Sequence, residues 1–442
     1  MFLMQVSLRN VRSIKSLDLD FRSSEGNARR WTLLLGENGC GKSSALRAIA
    51  LLLAGSEALP DLLGEPDAWI RNGSKKCLIS GILATAKGEI REIALEINRG
   101  DGIRQIFSRN HSSLEALDKA LSFAERNYFV LGYGVSRRPA APKSRSTFPD
   151  ERSRVPRSMG VATMFSPDAT LISLEQWAMD LEYRKGSSSM DAIRRALNQL
   201  LPDMQFSRID RESRQIIFDT VDGEIPLSQL SDGYQNIAAW CGDLLYRITE
   251  AFPDRKDPLS TRGVLLIDEI DLHLHPTWRR KLVEFLSLTL PNFQFVATTH
   301  SALTAQQSGD GELYVIRREG KDHLPTLTPF VGEPRNMMLH QLLMSPMFGL
   351  RTMDSVAVEN ARSVVRILSS KKTPLSVGES RELKHMYEVL SEAPNWDAIP
   401  EYAKEQIDLL KRINSTLDKD GKRPAVSARK LKSVVKEIGS SD

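Results

Sequence analysis

Cysteine is scarce in this chain. Three residues of 442, Cys40, Cys77 and Cys241, are widely spaced and odd in number. They can form neither a disulfide framework nor a C-x-x-C zinc knuckle, and reduced thiols are expected. Long apolar runs are missing too. None approaches the ~18 residues that a membrane span needs, and the opening "MFLMQVSLRNVRS" has no charged lead, apolar centre or cleavage site. A cytoplasmic protein with no membrane segment is expected. Charge of one sign is also lacking: 60 Lys and Arg stand against 56 Asp and Glu, a net of +4, too small a surplus to argue for nucleic acid. The densest basic cluster, residues 136–158, reads either as a solvated loop or as a phosphate-contacting one. With 41% hydrophobic residues, the chain can still build a sizeable core and two or three domains.

Within that ordinary composition, "WTLLLGENGCGKSSALRAIALLLAG" stands out. An apolar run, Trp31 to Leu35, precedes a glycine loop and then a helical pattern, and the loop fits G-x-x-x-x-G-K-[ST] through Gly36, Gly41, Lys42 and Ser43. Glycines let the backbone curl so that successive N–H groups face phosphate oxygens, and the following helix offers its positive end. Asn38, Gly39, Cys40 and Ser44 complete the nucleotide-binding stretch. Lys42 is expected to reach the β- and γ-phosphates of ATP, and the Ser43 hydroxyl to bind Mg²⁺. Cys40 could make the loop sensitive to oxidation or be only a small loop residue.

Much later, "VLLIDEIDLHLHP" reads as a strand buried on both faces that delivers Asp268 and Glu269 at its carboxyl end, where parallel sheets bind ligands. Asp268 is expected to help hold Mg²⁺, and Glu269 to orient or deprotonate the attacking water. His273 and His275 have a spacing that can serve zinc but lack a third ligand; alternatively they are turn residues ahead of a helix opened by Pro276. A second buried strand, Phe293 to Thr298, leads to His300, which could hydrogen-bond the γ-phosphate or be structural. "LSDGYQ" precedes a helix marked by Ile237, Trp240, Cys241, Leu244, Leu245 and Ile248, with Ser231 and Asp232 as expected caps.

These four pieces, in the chain order phosphate loop, "LSDGYQ", "LLIDEIDLHLHP" and "ATTHS", resemble the ATPase heads of the ABC superfamily, in the branch of SMC-like, RecF-like and OLD-like proteins, over roughly residues 1–335. The resemblance implies an α/β, two-lobed P-loop head with mixed and parallel sheets and a lobe insert at about 139–226. It also implies a helical C-terminal domain at 336–442. "LSDGYQ" is similar to the family's signature, which implies that Ser231 and Gly233 reach across a head-to-head homodimer, within a higher oligomer or not, to the other subunit's γ-phosphate. Arg12 matches an arginine that touches nucleotide phosphates in SMC-like heads, or is a surface cation. His275 stands where the family has an aspartate. Where the family has a glutamine, Tyr128–Pro139 offers none, leaving Ser136 or Arg137.

No long heptad run divides the chain, so DNA-tethering arms are excluded. Between Tyr128 and Leu230 only the basic loop and two helical patterns are expected, around "SLEQWAMDLEYRK" and "MDAIRRALNQLL". Asp418 and Asp420 could mark an OLD-type nuclease, yet the residues before them read as helix. Val434, Val435 and Ile438 are possible partner-facing positions. A compact head without its own nuclease resembles the ATPase subunits of Septu-type and retron-associated anti-phage systems. That implies an ATP-hydrolysing switch that controls a separate nuclease of HNH type. The alternative is a RecF-like repair ATPase binding DNA directly, tested through Arg137, Arg138 and Arg145.

Overall fold

Apolar and polar residues alternate in "FLMQVSLRNV" and "KCLISGILA", and both segments form strands with one covered face. The computed structural model describes residues 2–85, 88–121, 129–138, 156–185, 187–201, 204–253, 255, 257–272, 274–319, 322–350, 352–371 and 373–392. Its strands, in chain order, are β1 (Phe2–Val11), β2 (Ile14–Asp20), β3 (Trp31–Gly36), β4 (Lys76–Ala84), β5 (Ile90–Asn98) and β6 (Val130–Tyr133). They continue with β7 (Gln205–Asp210), β8 (Gln215–Thr220), β9 (Gly223–Pro226), β10 (Gly263–Ile267), β11 (Phe293–Thr299), β12 (Leu313–Glu319) and β13 (Leu324–Pro329). The chain divides into two units, Met1–Arg351 and Thr352–Asp442.

In the first unit an antiparallel sheet runs β2-β1-β4-β5, and a six-stranded sheet runs β13-β12-β3-β11-β10-β6. The expected pairing of the opening strands is present, with Val6 opposite Leu19 and Leu8 opposite Leu17. In the second sheet β12, β3, β11, β10 and β6 are parallel, and only the edge strand β13 runs against its neighbour. Every residue of β10 and β11 is buried, as strands covered on both faces require. Neighbouring residues point into different cores. Leu34, Val264, Leu266 and Val296 join the cluster under the antiparallel sheet and the helix Lys42–Leu53. Leu33, Leu35, Leu265 and Ile267 join the cluster containing the helices Asp232–Ala251 and Pro276–Thr289. Each such aliphatic side chain contributes about 1.5–3 kcal/mol by leaving water.

The six helical positions marked in the sequence, Ile237 to Ile248, are all buried in that second cluster. The lobe insert is richer than its sequence pattern. Besides the two expected helices, Leu174–Lys185 and Ser187–Leu200, it holds an antiparallel sheet β7-β8-β9. Phe206, Ile216 and Phe218 anchor that sheet in the core. The expectation of helices alone failed because these strands are short and charged on the outer face.

A buried polar network ties this lobe to β6. Asp243, fully buried, accepts bonds from Tyr133 Oη at 2.9 Å and from Arg247 Nε and Nη2 at 2.7 and 3.1 Å. It also accepts one from the Ile172 N–H at 3.0 Å. Burial and the adjacent Asp243 carboxylate push the Tyr133 hydroxyl well above its ordinary value.

In the second unit the described residues include the helices Val356–Ser369 and Val377–Glu392. Ser355 caps the first by accepting from the Val358 N–H at 3.4 Å, and Ala361 and Leu368 are buried. Asp418, Asp420, Val434, Val435, Ile438, Arg145 and His273 lie outside the described residues.

Candidate functional site at the carboxyl edge of the parallel sheet

Register fixes what meets at this edge. Leu35 pairs with Thr299, and Ile267 pairs with Ala297 on one side and Tyr133 on the other. Gly36, Asp268, His300 and Gly134 therefore leave the sheet together, with β11 standing between β3 and β10.

The glycine loop follows β3. Gly41 has φ 104 and leads into the helix Lys42–Leu53, whose N-cap position has no side-chain cap and whose first turn has no acid. A left-handed residue is needed there, and its absent side chain keeps the loop clear of Ile14, 3.3 Å from where a Cβ would sit. Gly36 is required for a different reason: a Cβ would overlap the Ile316 carbonyl of β12. Gly36→Ala is therefore expected to displace the loop and weaken nucleotide binding at least tenfold, read by titration with a fluorescent ATP analogue. Unchanged affinity would show that the loop gives way without cost.

Lys42 is 5% exposed. Its Nζ donates to the Gly36 and Glu37 carbonyls at 2.7 and 2.9 Å and lies 3.9 Å from Cys40 Sγ. Burial lowers its pKa, opposed by Cys40, Asp268 and Glu269. Lysine and both carboxylates thus share one electrostatic environment. Asn38 and Gly39 are exposed, and Ser43 and Ser44 are half-buried at the helix start. Arg318 of β12 donates to the Gly39 carbonyl at 2.7 Å through Nη2, a support that nothing in the loop's own sequence signals.

At the tip of β10, Thr298 of β11 holds both acids. Its hydroxyl donates to Asp268 Oδ1 at 2.6 Å and accepts from the Glu269 N–H at 2.7 Å. Glu269 has φ 48, a left-handed conformation that costs a non-glycine residue roughly 1–2 kcal/mol. The turn beyond it is anchored by Asp271, whose Oδ2 accepts from Thr299 and Thr304 at 2.9 and 2.7 Å. His300 Nε2 lies 3.8 Å from Glu269 Oε1. Burial and then Lys42 lower the His300 pKa, against the pull of the nearby carboxylates, which favours the neutral imidazole.

Other expectations meet different fates. Ser231 does take the N-cap position of the helix Asp232–Ala251, but its hydroxyl makes no capping bond, which corrects its expected role as a cap. The start of this helix is held by Gln235, whose Nε2 donates to the Leu230 carbonyl at 2.7 Å. Among the described residues no hydrogen bond or ion pair joins Ser231 or Gly233 to the glycine loop. His275 caps the helix Pro276–Thr289 through Nδ1, 3.4 Å from the Thr277 N–H. Among the described residues no group of three His, Cys, Asp or Glu could hold a metal, and no helix is long and apolar enough to cross a membrane.

Arg12, with φ 51, sits in the turn next to the Ser13 and Ile14 side chains that border Gly41. Its guanidinium lies over Trp69, 4.4 Å from the ring centroid, and burial and then Arg47 lower its pKa. Arg137 is not a free surface cation: its Nε donates to the Gly134 carbonyl at 3.0 Å, and its Nη2 donates to the carbonyls of Asp268 and Glu269. It is therefore a poor choice for testing DNA contacts, whereas Arg138 is exposed.

Two family models match this chain. One described as "AAA domain" covers residues 5–128, and one described as "AAA domain, putative AbiEii toxin, Type IV TA system" covers 163–305. The chain is similar to the Septu protein PtuA of Bacillus mycoides, 27% identical over 350 residues, which are 79% of this chain and 45% of that protein. It is also similar to the Retron Ec83 probable ATPase of Escherichia coli, 31% identical over 143 residues, 32% of this chain and 26% of that one. It thus spans less than half the length of these curated relatives. Among solved structures, the SMC head domain from Thermotoga maritima aligns over 75% of this chain and 99% of its own at 14% identity, with a TM-score of 0.39.

Proposed function

We propose that this protein is an ATP-binding and ATP-hydrolysing switch subunit that dimerises head to head through nucleotide and controls an associated nuclease in anti-phage defence. The observation that carries the reading is the convergence of Lys42 with Asp268 and Glu269 at one sheet edge, beside an open helix start. The Septu and retron relatives support the defence setting.

The loop Gly36 to Ser43 would receive the phosphates of ATP, and Lys42 would turn its ammonium from the loop carbonyls to the β- and γ-phosphate oxygens. Ser43 and Asp268 form an all-oxygen donor pair suited to a hard divalent cation, and they would hold Mg²⁺. When bound, that ion would neutralise charge on the phosphate oxygens. Glu269 accepts a proton from, or aligns, the water that attacks the γ-phosphate in line, and neutral His300 donates a hydrogen bond to that phosphate. Arg12 adds charge at the phosphates. Ser231, its hydroxyl free of a capping bond, and Gly233 complete the site of a twin molecule, with the helix start facing the γ-phosphate.

The test combines phosphate release with light scattering. Wild type is expected to hydrolyse ATP and to form dimers in its presence. Lys42→Ala should lose nucleotide binding, and Ser231→Arg should bind ATP as a monomer without turnover. A Ser231→Arg protein that still dimerises and hydrolyses at the wild-type rate refutes the shared site.

A further inference from the structure

The tip of β10 is held from two sides, and only one is explained by its neighbour in the sheet. Thr298 takes the N–H of Glu269. The carbonyls of Asp268 and Glu269 point the other way, and both accept from Nη2 of Arg137, the Glu269 bond being 2.8 Å. Nε of the same guanidinium reaches the Gly134 carbonyl at 3.0 Å. One planar group thus joins the exit of β6 to the exit of β10 across three backbone carbonyls, a geometry that suits the fixed fork of a guanidinium. The Cβ of any residue but glycine at 134 would overlap the Thr163 carbonyl, so this segment is also packed tightly from behind.

We infer that Arg137 is a positioning residue for hydrolysis, fixing the peptide units on either side of the Glu269 nitrogen and carbonyl so that the left-handed backbone aims its carboxylate at the attacking water. The inference rests on the proposed role of Glu269 and names the residue that serves in place of the missing glutamine. The bonds of the Arg137 guanidinium go to backbone carbonyls. It acts through the backbone, with Thr298 as the opposite clamp. The residue after it extends the connection, because the Arg138 carbonyl accepts from the Leu171 N–H at 2.8 Å, and Ile172 in turn donates to Asp243 on the helix that Ser231 begins. Hydrogen bonds and adjoining residues therefore link the middle of that helix to the acidic strand tip.

The experiment compares Arg137→Ala, Arg137→Lys, Glu269→Gln and the double variant Arg137→Ala/Glu269→Gln in the full chain. Arg137→Ala is expected to lower kcat about 100-fold, the scale of a misplaced catalytic group, with ATP affinity within about twofold of wild type. Arg137→Lys places its donors on one atom and has none at the Nε position that meets the Gly134 carbonyl, so it should recover less than a tenth of the loss. The double variant should be no slower than Glu269→Gln alone, since both changes remove the same aligned carboxylate. A merely structural arginine would lower the melting temperature but leave kcat per folded molecule intact, whereas an arginine acting independently of Glu269 would multiply its loss with that of Glu269→Gln; either result overturns the inference. If Arg137→Ala does not fold, Arg137→Lys decides, since wild-type kcat in that variant rules out the forked role. Glu269→Gln with full turnover would instead remove the reading on which this one depends.

Discussion

Glu269→Gln is expected to bind ATP as tightly as wild type, to accumulate as an ATP-bound dimer, and to lose turnover by about 10²–10⁴-fold. That range is what a positioned proton acceptor contributes. The amide keeps the shape of the carboxylate, and the bond to the Thr298 hydroxyl uses the backbone N–H of Glu269 and not its side chain, so the left-handed turn survives the change. Lys42 and the loop lie on another strand and keep their contacts. What is lost is the ability to take a proton or to orient water by negative charge. Phosphate release measured beside light scattering separates the two halves of the expectation. Full remaining turnover would remove Glu269 from its role; loss of ATP binding would mean that the substitution disturbed the loop.

The largest stability effect is expected at Asp243→Ala, about 3–5 kcal/mol, the cost of leaving a buried cation without its partner. Arg247 is 7% exposed and Asp243 fully buried. Burial by itself would lower the arginine's pKa, and the Asp243 carboxylate more than reverses this, so the buried guanidinium depends on its partner. Removing the carboxylate strands Arg247, Tyr133 Oη and the Ile172 N–H together. Tyr133→Phe, which deletes one hydrogen bond and leaves the ion pair, should cost about 1 kcal/mol. Urea denaturation of the two variants beside wild type gives the comparison. A loss below 1 kcal/mol for Asp243→Ala would mean that water or a shifted backbone repairs the site.

The parts of this architecture that repeat a local rule were legible in the chain. Four apolar residues before Asp268, and the largely apolar run before His300, read as buried strands because both faces are covered, and the polar residues of the second, Gln294, Thr298 and Thr299, are buried with partners. The loop Gly36 to Ser43 read as phosphate-binding because glycine and lysine spacing encode a backbone shape. What stayed hidden depends on partners distant in sequence. The Thr298 clamp is present in "ATTHS", but only the pairing of β11 with β10 makes it a clamp. Arg137 could be named only as an alternative to Ser136 for the place of the absent glutamine; its three carbonyls come from two strand exits more than 100 residues apart. The sheet β7-β8-β9 escaped notice because its strands of four to six residues carry charges on the open face. Ser231 was readable as a helix start, whereas the absence of its capping bond was not.

The order of strands across the parallel sheet has a further consequence during synthesis. β3, which bears the glycine loop, is made early, yet its two neighbours are β11 and β12, which emerge from the ribosome some 260 to 280 residues later. Until then the strand has no lateral partner, and the loop-closure entropy of that long separation opposes early pairing. A nascent chain halted before Phe293 holds the lysine and the acidic tip on separate pieces of unfinished sheet. The lysine and the acidic tip come to share one sheet edge only once nearly the whole first unit has been translated.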